Sequence, residues 1–449
     1  MPSASTFHHS NKPDKEGRLK VRVGNSSRSI LASLLGVQEG RATTQDYSEL
    51  SNEKLLFILN RFTGVAPYSH EFVHGVQDAQ VISGFVSAIT SFMGEITGKE
   101  LTHWRTHYGS DSTLLVEGGD WALGVLVVKR ETDEVRSRLR RVVREFEDCF
   151  AVLRDADGIE GGAFKEFDNF VRRTFVGDRL CGRSVILKGL DWNEESISSD
   201  LPSWSFKIAK ILLGMKDRQT LDEAMSILDA SFADTAEVIS RALWNRSINV
   251  VYVPDENDIL LLSGGSSSLL LTASNPLGLS IDSIKTIGAL DGRSPIASIL
   301  RKVQPQHVGD SLLELGLLVN RGLIQRASLE RQLVLINECI LTRMMKACSK
   351  AMGARVAKRI LRMAIDQVLA RHSWAARIEY TRGFKIKCRL EDGLLPMDLD
   401  EVCDMLESLQ QEVIFQVSDE DPSFAESSLH DAKTDCHNTW APYLRDMIA

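Results

Sequence analysis

Five residues, His70-Glu71-Phe72-Val73-His74, spell a literal H-E-x-x-H. On a helix this spacing sets both imidazoles on one face to bind Zn²⁺, while the Glu acts as general base on the metal-bound water. The surroundings argue against that helix: Gly64 and Pro67 stand upstream, Gly75 follows at once, and no amphipathic pattern spans the motif. In a strand the two histidines lie about 13 Å apart, too far to share one ion. Glu95 and Glu100 are conceivable third ligands, but the downstream HxxGxxH is missing. A zinc hydrolase is therefore the remote reading.

Other motifs fall short of their chemistry. "GEITGKE" (94–100) has one residue too few between its glycines for a phosphate loop, and Glu100 stands where Ser or Thr should meet Mg²⁺. In "DADG" (155–158), placing Gly158 at the sixth position of a calcium loop puts Leu153 first and Phe164 twelfth, which leaves no carboxylate cage. "SGGSSS" (263–268) is no nucleophile elbow and reads as a flexible loop; His103 and His107 read as strand histidines. The chain is expected to be non-enzymatic, with no metal and no cofactor.

Charge is more informative. Residues 343–389 carry thirteen Lys or Arg against Asp366 and Glu379, a net of +11, whereas Lys433 is the only Lys or Arg in 391–435. Either the acidic part folds back on the basic face, or that face binds an anionic partner through Lys346, Lys350, Arg355, Lys358, Arg359 and Arg362. Trp374, Tyr380 and Phe384 are thin provision for stacking bases.

The elements that position these residues start at Leu55. "LLFILNRFTG" and "VAPYSHEF" read as two strands. Next comes "DAQVISGFVSAITSFMGEITGKE" (78–100), a helix by its apolar spacing, threaded with Ser83, Gly84, Ser87, Ala88 and Ser91. Three strand-like runs follow ("ELTHWRTHYGS", "STLLVEGG", "WALGVLVVKR"), then a helix capped by Thr132 with Asp133 and Glu134 in its first turn. The order is β-β-α-β-β-β-α. With the text "YSHEF…DAQVISGFVSAITSF…LLVEGGDWALGVLVV…LRRVVREFEDCF", it resembles the roadblock/longin superfamily over about 55–155. That resemblance implies a five-stranded sheet with the first helix across one face, dimerisation or docking with a protein of the same superfamily, and small Ras-like GTPases as clients. Ser83, Gly84, Ser87 and Ser91 would allow close helix approach. Arg136, Arg140 and Arg144, at i, i+4 and i+8 on an exposed face of the closing helix, would meet an acidic partner.

Further on, a weak repeat pairs Gly214, Asp217, Asn245 and Arg246 with Gly288, Asp291, Asn320 and Arg321, at an offset of 74 that becomes 75. Each copy reads as three helices, and "NVVYVPDENDILLLSGG" after the first reads as a hairpin, so the pair (205–275, and 280–328 without a wing) resembles tandem winged helices. Their second helices are poor in base-reading groups, with Arg241, Asn245 and Arg246 set against Asp234 and Glu237 in the first copy. Protein docking is the closer analogy; a nucleic-acid-associated regulator anchored by 343–389 is the alternative.

The totals set the frame. At 449 residues the chain suggests on the order of two to four domains. Seven scattered cysteines without a CxxC pair point to a reduced, intracellular protein, and with no membrane span or signal-peptide core in the sequence a cytoplasmic location is the expectation by default. A charge of −8 argues mildly against a dedicated nucleic-acid binder. No apolar run approaches the ~18 residues of a membrane span, although peripheral membrane contact stays open. The expected fold is α+β multidomain: a mobile tail (1–50), the roadblock/longin-like unit with a helical extension to about 180, two winged-helix-like units, a helical domain with a small β hairpin (329–418), and a polar acidic tail (419–449).

Overall fold

Two continuous apolar runs decide the first unit. β1 (Glu53–Asn60) and β5 (Ala122–Val128) are buried nearly throughout, the pattern of strands covered on both faces. The structure, a computed structural model, describes residues 51–73, 82–90, 103–108, 111–154, 164–189, 203–213, 218–272, 275–391, 394–419 and 422–440. The protein is a mixed α+β chain with small antiparallel sheets. With β2 (Tyr68–Glu71), β3 (His103–Tyr108) and β4 (Ser112–Gly118), these runs form a five-stranded antiparallel sheet in the order β2-β1-β5-β4-β3.

Successive side chains of each strand point to opposite faces. Leu55, Phe57 and Leu59 join Val116, Val125 and Val127 beneath Ile82 and Val86 of the helix α1 (residues 82–90). Leu56, Ile58, Leu115 and Leu126 pack on the other face against α2 (Asp133–Cys149), through Val135, Leu139, Val143 and Phe146. α2 starts where the sequence says: the Thr132 hydroxyl accepts from Val135 N at 3.1 Å, and Asp133 and Glu134 complement the positive end of the helix. It lies close enough that a Cβ on Gly124 would come within 2.3 Å of Val143 Cγ2. α3 (Lys165–Phe175) extends this layer with Phe167, Val171 and Phe175.

The repeat is present, with different boundaries and no hairpin. β6 (Val185–Lys188) lies between β7 (Gln219–Thr220) and β8 (Ile248–Val251); the helices α4 (Ser203–Leu213), α5 (Leu221–Leu228) and α6 (Phe232–Trp244) complete the first copy. β9 (Leu260–Leu262) opens the second, followed by α7 (Ile281–Gly288), α8 (Ile296–Leu300), α9 (Val308–Asn320) and β10 (Ile324–Arg326), and it pairs with β10. The pair Val185↔Thr220 recurs as Ile259↔Pro295, and Ile186↔Val250 recurs as Leu260↔Arg326. Thr220 and Pro295 are both N-caps of the following helix. Offsets run from 74 (185 to 259) through 75 (220 to 295) to 76 (250 to 326). The left-handed residue Arg246 (φ 62°) therefore matches Gly322 (φ 66°), and Asn320 matches Trp244, not Asn245.

The expected hairpin fails for a specific reason. On β8, the Val250 carbonyl accepts from Asn320 Nδ2 and the Tyr252 N–H donates to Asn320 Oδ1, each at 3.0 Å. That is the edge a hairpin partner would need, and α9 lies against it so tightly that a Cβ on Gly316 would sit 2.9 Å from the Tyr252 oxygen. β9 is thereby left to the second copy.

The last unit packs α10 (Leu329–Met352), α11 (Ala354–Leu369) and α12 (Pro396–Ser418) around one core with the expected hairpin, β11 (Ile378–Tyr380) and β12 (Ile386–Cys388). Within the expected polar tail, α13 (Pro422–Trp440) buries Ala432 and Cys436 in that core. The tail over 1–50, Ser91, His74, the linker at 191–202, and "GEITGKE" lie outside the described residues, as does "DADG".

Candidate functional site

The small residues of α1 divide between two sides. Ser83 is buried toward the sheet and Ser87 is half-buried, its Oγ lying 3.2 Å from the position of a Cβ on Gly64. Gly84 and Ala88 are exposed, and a Cβ on Gly84 would meet nothing within 4 Å among the described residues. Phe85, between them, is 52% exposed. The Gly64 turn beside this helix carries Phe62 and Val65, exposed by 63% and 40%. An outer strip of two small positions and three apolar side chains results. Sequence reading missed Phe62 and Val65; an aromatic residue within a Gly-containing turn was the available signal.

The arginine row of α2 is not one exposed face. Arg136 is 3% exposed and ion-paired with both Glu117 and Glu131, so it is part of the interior. Burial pushes the Glu117 carboxyl up, against the pull of Arg136. Arg140 binds Asp400 of α12 at 2.6 Å and holds the helical unit against the sheet unit. Arg144 alone of the three is exposed. Helical spacing identifies a common face; it cannot say which carboxylates from other elements cover it.

The first turn of α2 forms a polar junction with the second repeat. Gln325 Oε1 accepts from Asp133 N at 2.6 Å and Glu134 N at 3.3 Å, capping the helix from another unit. Glu134 accepts from Arg326 N at 3.1 Å and pairs with Arg138 at 2.8 Å. Arg326 reaches Asp258 at 3.1 Å, and Arg179 pairs with Glu53 at 3.0 Å while lying 4.1 Å over the Tyr252 ring. A cleft of about 60 Å³ opens here, lined by Glu134, Arg138, Thr174, Asp258, Arg326 and Gln332. Its named charges pair within each unit, Glu134 with Arg138 and Asp258 with Arg326, and the bonds that cross the junction are those of Gln325 and the Arg326 N–H to the start of α2.

His70 lies on the strand β2, not on a helix, so the geometry that H-E-x-x-H chemistry requires is missing. Its ring stacks on Trp244 of α6 at 3.4 Å and 7°. Burial, helped by nearby Arg246, pulls its pKa down to about 3, and Nε2 is buried without a hydrogen bond. His70 is a neutral plate between the sheet unit and the first repeat.

The second helix of the first repeat keeps an exposed face at Asp234, Glu237 and Arg241, but its basic groups are engaged, and that of the second repeat is covered. On α6, Arg241 binds Glu237 at 2.6 Å, Asn245 donates to the Arg241 carbonyl, and Arg246 reaches Glu71 at 3.3 Å. α9 is buried at every position from Ser311 to Asn320.

The basic segment is different. The acidic part folds back on only the edges of it: Asp435 of α13 pairs with Arg343 at 2.7 Å and Glu391 with Arg377 at 3.0 Å, while Asp400 goes to Arg140. Arg355, Lys358, Arg359 and Arg362 recur on one exposed face of α11, with Lys346 and Lys350 exposed on α10. Among the described residues, Lys346, Lys350, Arg355, Lys358 and Arg362 have no ion pair. Met363 and Leu369 are also exposed on α11. Phe384 is buried and Trp374 half-buried, so no row of aromatic rings accompanies the charge. No helix among the described residues is long and apolar enough to cross a membrane. In comparisons with known proteins, no family profile matches the chain and no curated protein is similar to it.

Proposed function

We propose that this protein is a non-enzymatic cytoplasmic scaffold that docks a small Ras-like GTPase, or a second platform protein, on a roadblock/longin-like unit. The observation that carries the reading is the outer strip of α1. Phe85 stands exposed between Gly84 and Ala88, and no described neighbour accounts for a residue as small as Gly84. A backbone left open this way lets another backbone approach, and the flanking apolar surface supplies association energy. The sheet with α1 on one face and α2 and α3 on the other agrees with the superfamily resemblance. The ion-paired junctions suit a body that presents surfaces in fixed register. The test is affinity capture from cytoplasm by wild type and Gly84→Leu. A Ras-like GTPase or platform protein retained by wild type and lost by the folded variant supports the reading; identical partners on both remove it.

A second reading is favoured by the unpaired cations of α11: an anion-binding face that anchors the scaffold to nucleic acid or to an acidic surface. Neutralising phosphates releases counterions, so such binding weakens steeply with salt. Affinity for a polyanion that is equal at low and moderate salt, or absent at low salt, eliminates it.

A further inference from the structure

The sulfurs of Cys436 and Cys339 are in direct contact, 2.7 Å apart, although 97 residues separate them in the chain. Cys436 is fully buried on α13; Cys339, on α10, is half-buried and reachable from solvent. One turn beyond Cys339, Arg343 binds Asp435 at 2.7 Å and Thr439 at 2.9 Å, so the helices meet in a fixed register at this point. Contact with Cys436, with help from Trp440 and Arg343 against burial, draws the Cys339 thiol down. The same contact and burial push Cys436 up. The other five cysteines are shifted up, each chiefly by burial, including Cys149, the exposed one. A reachable thiol drawn toward its anion, in contact with a sheltered thiol, is the arrangement of an attacking and a resolving cysteine.

We propose that Cys339 and Cys436 form a peroxide-responsive dithiol that closes to an intramolecular disulfide and fastens α13 to α10. The Cys339 thiolate attacks one oxygen of hydrogen peroxide; the O–O bond breaks, hydroxide leaves and takes a proton to become water, and Cys339 is a sulfenic acid. Cys436 gives up its proton and attacks that sulfur; the S–S bond forms, the S–O bond breaks, and a second water departs. Two thiols are oxidised and one peroxide is reduced to two waters. The bond closes a long loop, so it restricts the unfolded chain and holds α13 to the helical core.

The test treats reduced full-length protein with stoichiometric hydrogen peroxide at neutral pH, blocks remaining thiols by alkylation, and maps peptides without reduction. The expected result is a Cys339–Cys436 cross-linked peptide, a loss of about 2 Da before Cys149 reacts, and several-fold slower amide exchange over 422–440. Cys436→Ser should prevent the cross-link and leave a Cys339 sulfenic acid trapped by dimedone. Should that buried substitution fail to fold, Cys339→Ser is the second arm, in which Cys436 stays a free thiol. Both cysteines alkylated after Cys149 has oxidised, a cross-link to another copy, or unchanged exchange over 422–440 overturns the proposal.

Discussion

His70 offers a quantitative test of how the sheet unit meets the first repeat. The imidazole titrates near 6.5 in an unfolded chain and near 3 in the stack on Trp244. Between those values the unfolded chain binds a proton that the folded one refuses, so stability falls as pH drops through 6.5 and goes on falling toward 3. From pH 7.5 to 5 the unfolded state gains about 1.5 units of proton binding free energy, about 2 kcal/mol at ~1.4 kcal/mol per unit. His70→Phe keeps an aromatic plate on Trp244 and removes the proton site. Urea unfolding at pH 7.5, 6 and 5 measures both proteins. The wild-type advantage, or deficit, at pH 7.5 should shift by about 1–2 kcal/mol toward the variant at pH 5. Parallel curves for the two proteins would refute a buried neutral His70. Stoichiometric zinc lost on His70→Ala would refute the strand placement itself.

Asp133 should act with the opposite sign. Burial, against nearby Arg331, raises its carboxyl from 3.8 to about 6, so the fold holds a proton that the unfolded chain releases and stability is lost as pH rises through that window. Asp133→Asn should remove that slope and make the acid decline from His70 steeper, read by the same titrations. Gly124→Val forces a side chain into space held by Val143 and Leu139 and should cost about 1–3 kcal/mol, seen as a lower melting temperature. Asn320→Ala strips the Val250 carbonyl and Tyr252 N–H of their partner and should cost about 1–3 kcal/mol by urea unfolding. Asn320→Asp, which buries a carboxylate against the Val250 carbonyl oxygen, should cost at least as much.

Local signals were legible in proportion to how local their causes are. The Thr132 cap, the apolar run of β1 and the strands of the 378–388 hairpin were readable because each follows from neighbouring residues. The repeat was visible, but its register was not: insertions move the offset from 74 to 76, and equivalence is carried by the left-handed turn at Arg246 and Gly322. The sequence suggests a hairpin after β8 because its competitor, Asn320, lies far along the chain. Helical spacing alone sets Arg136 on a surface, because Glu117 and Glu131 come from outside the helix. The same limit hid Gln325 at the start of α2 and Cys436 beside Cys339. The division of the α1 stripe into a buried Ser83 and an open Gly84 needed the sheet in place.

The docking face is tested most directly by measuring the binding of one captured GTPase or platform protein to wild type and to Gly84→Leu in parallel with their melting temperatures. Leucine suits a helix better than glycine by up to about 1 kcal/mol and meets no described neighbour, so the variant should melt at or above the wild-type temperature. On this account its affinity falls at least tenfold, because the added side chain fills the space a partner backbone needs. Undiminished affinity in a variant that is equally stable would contradict it.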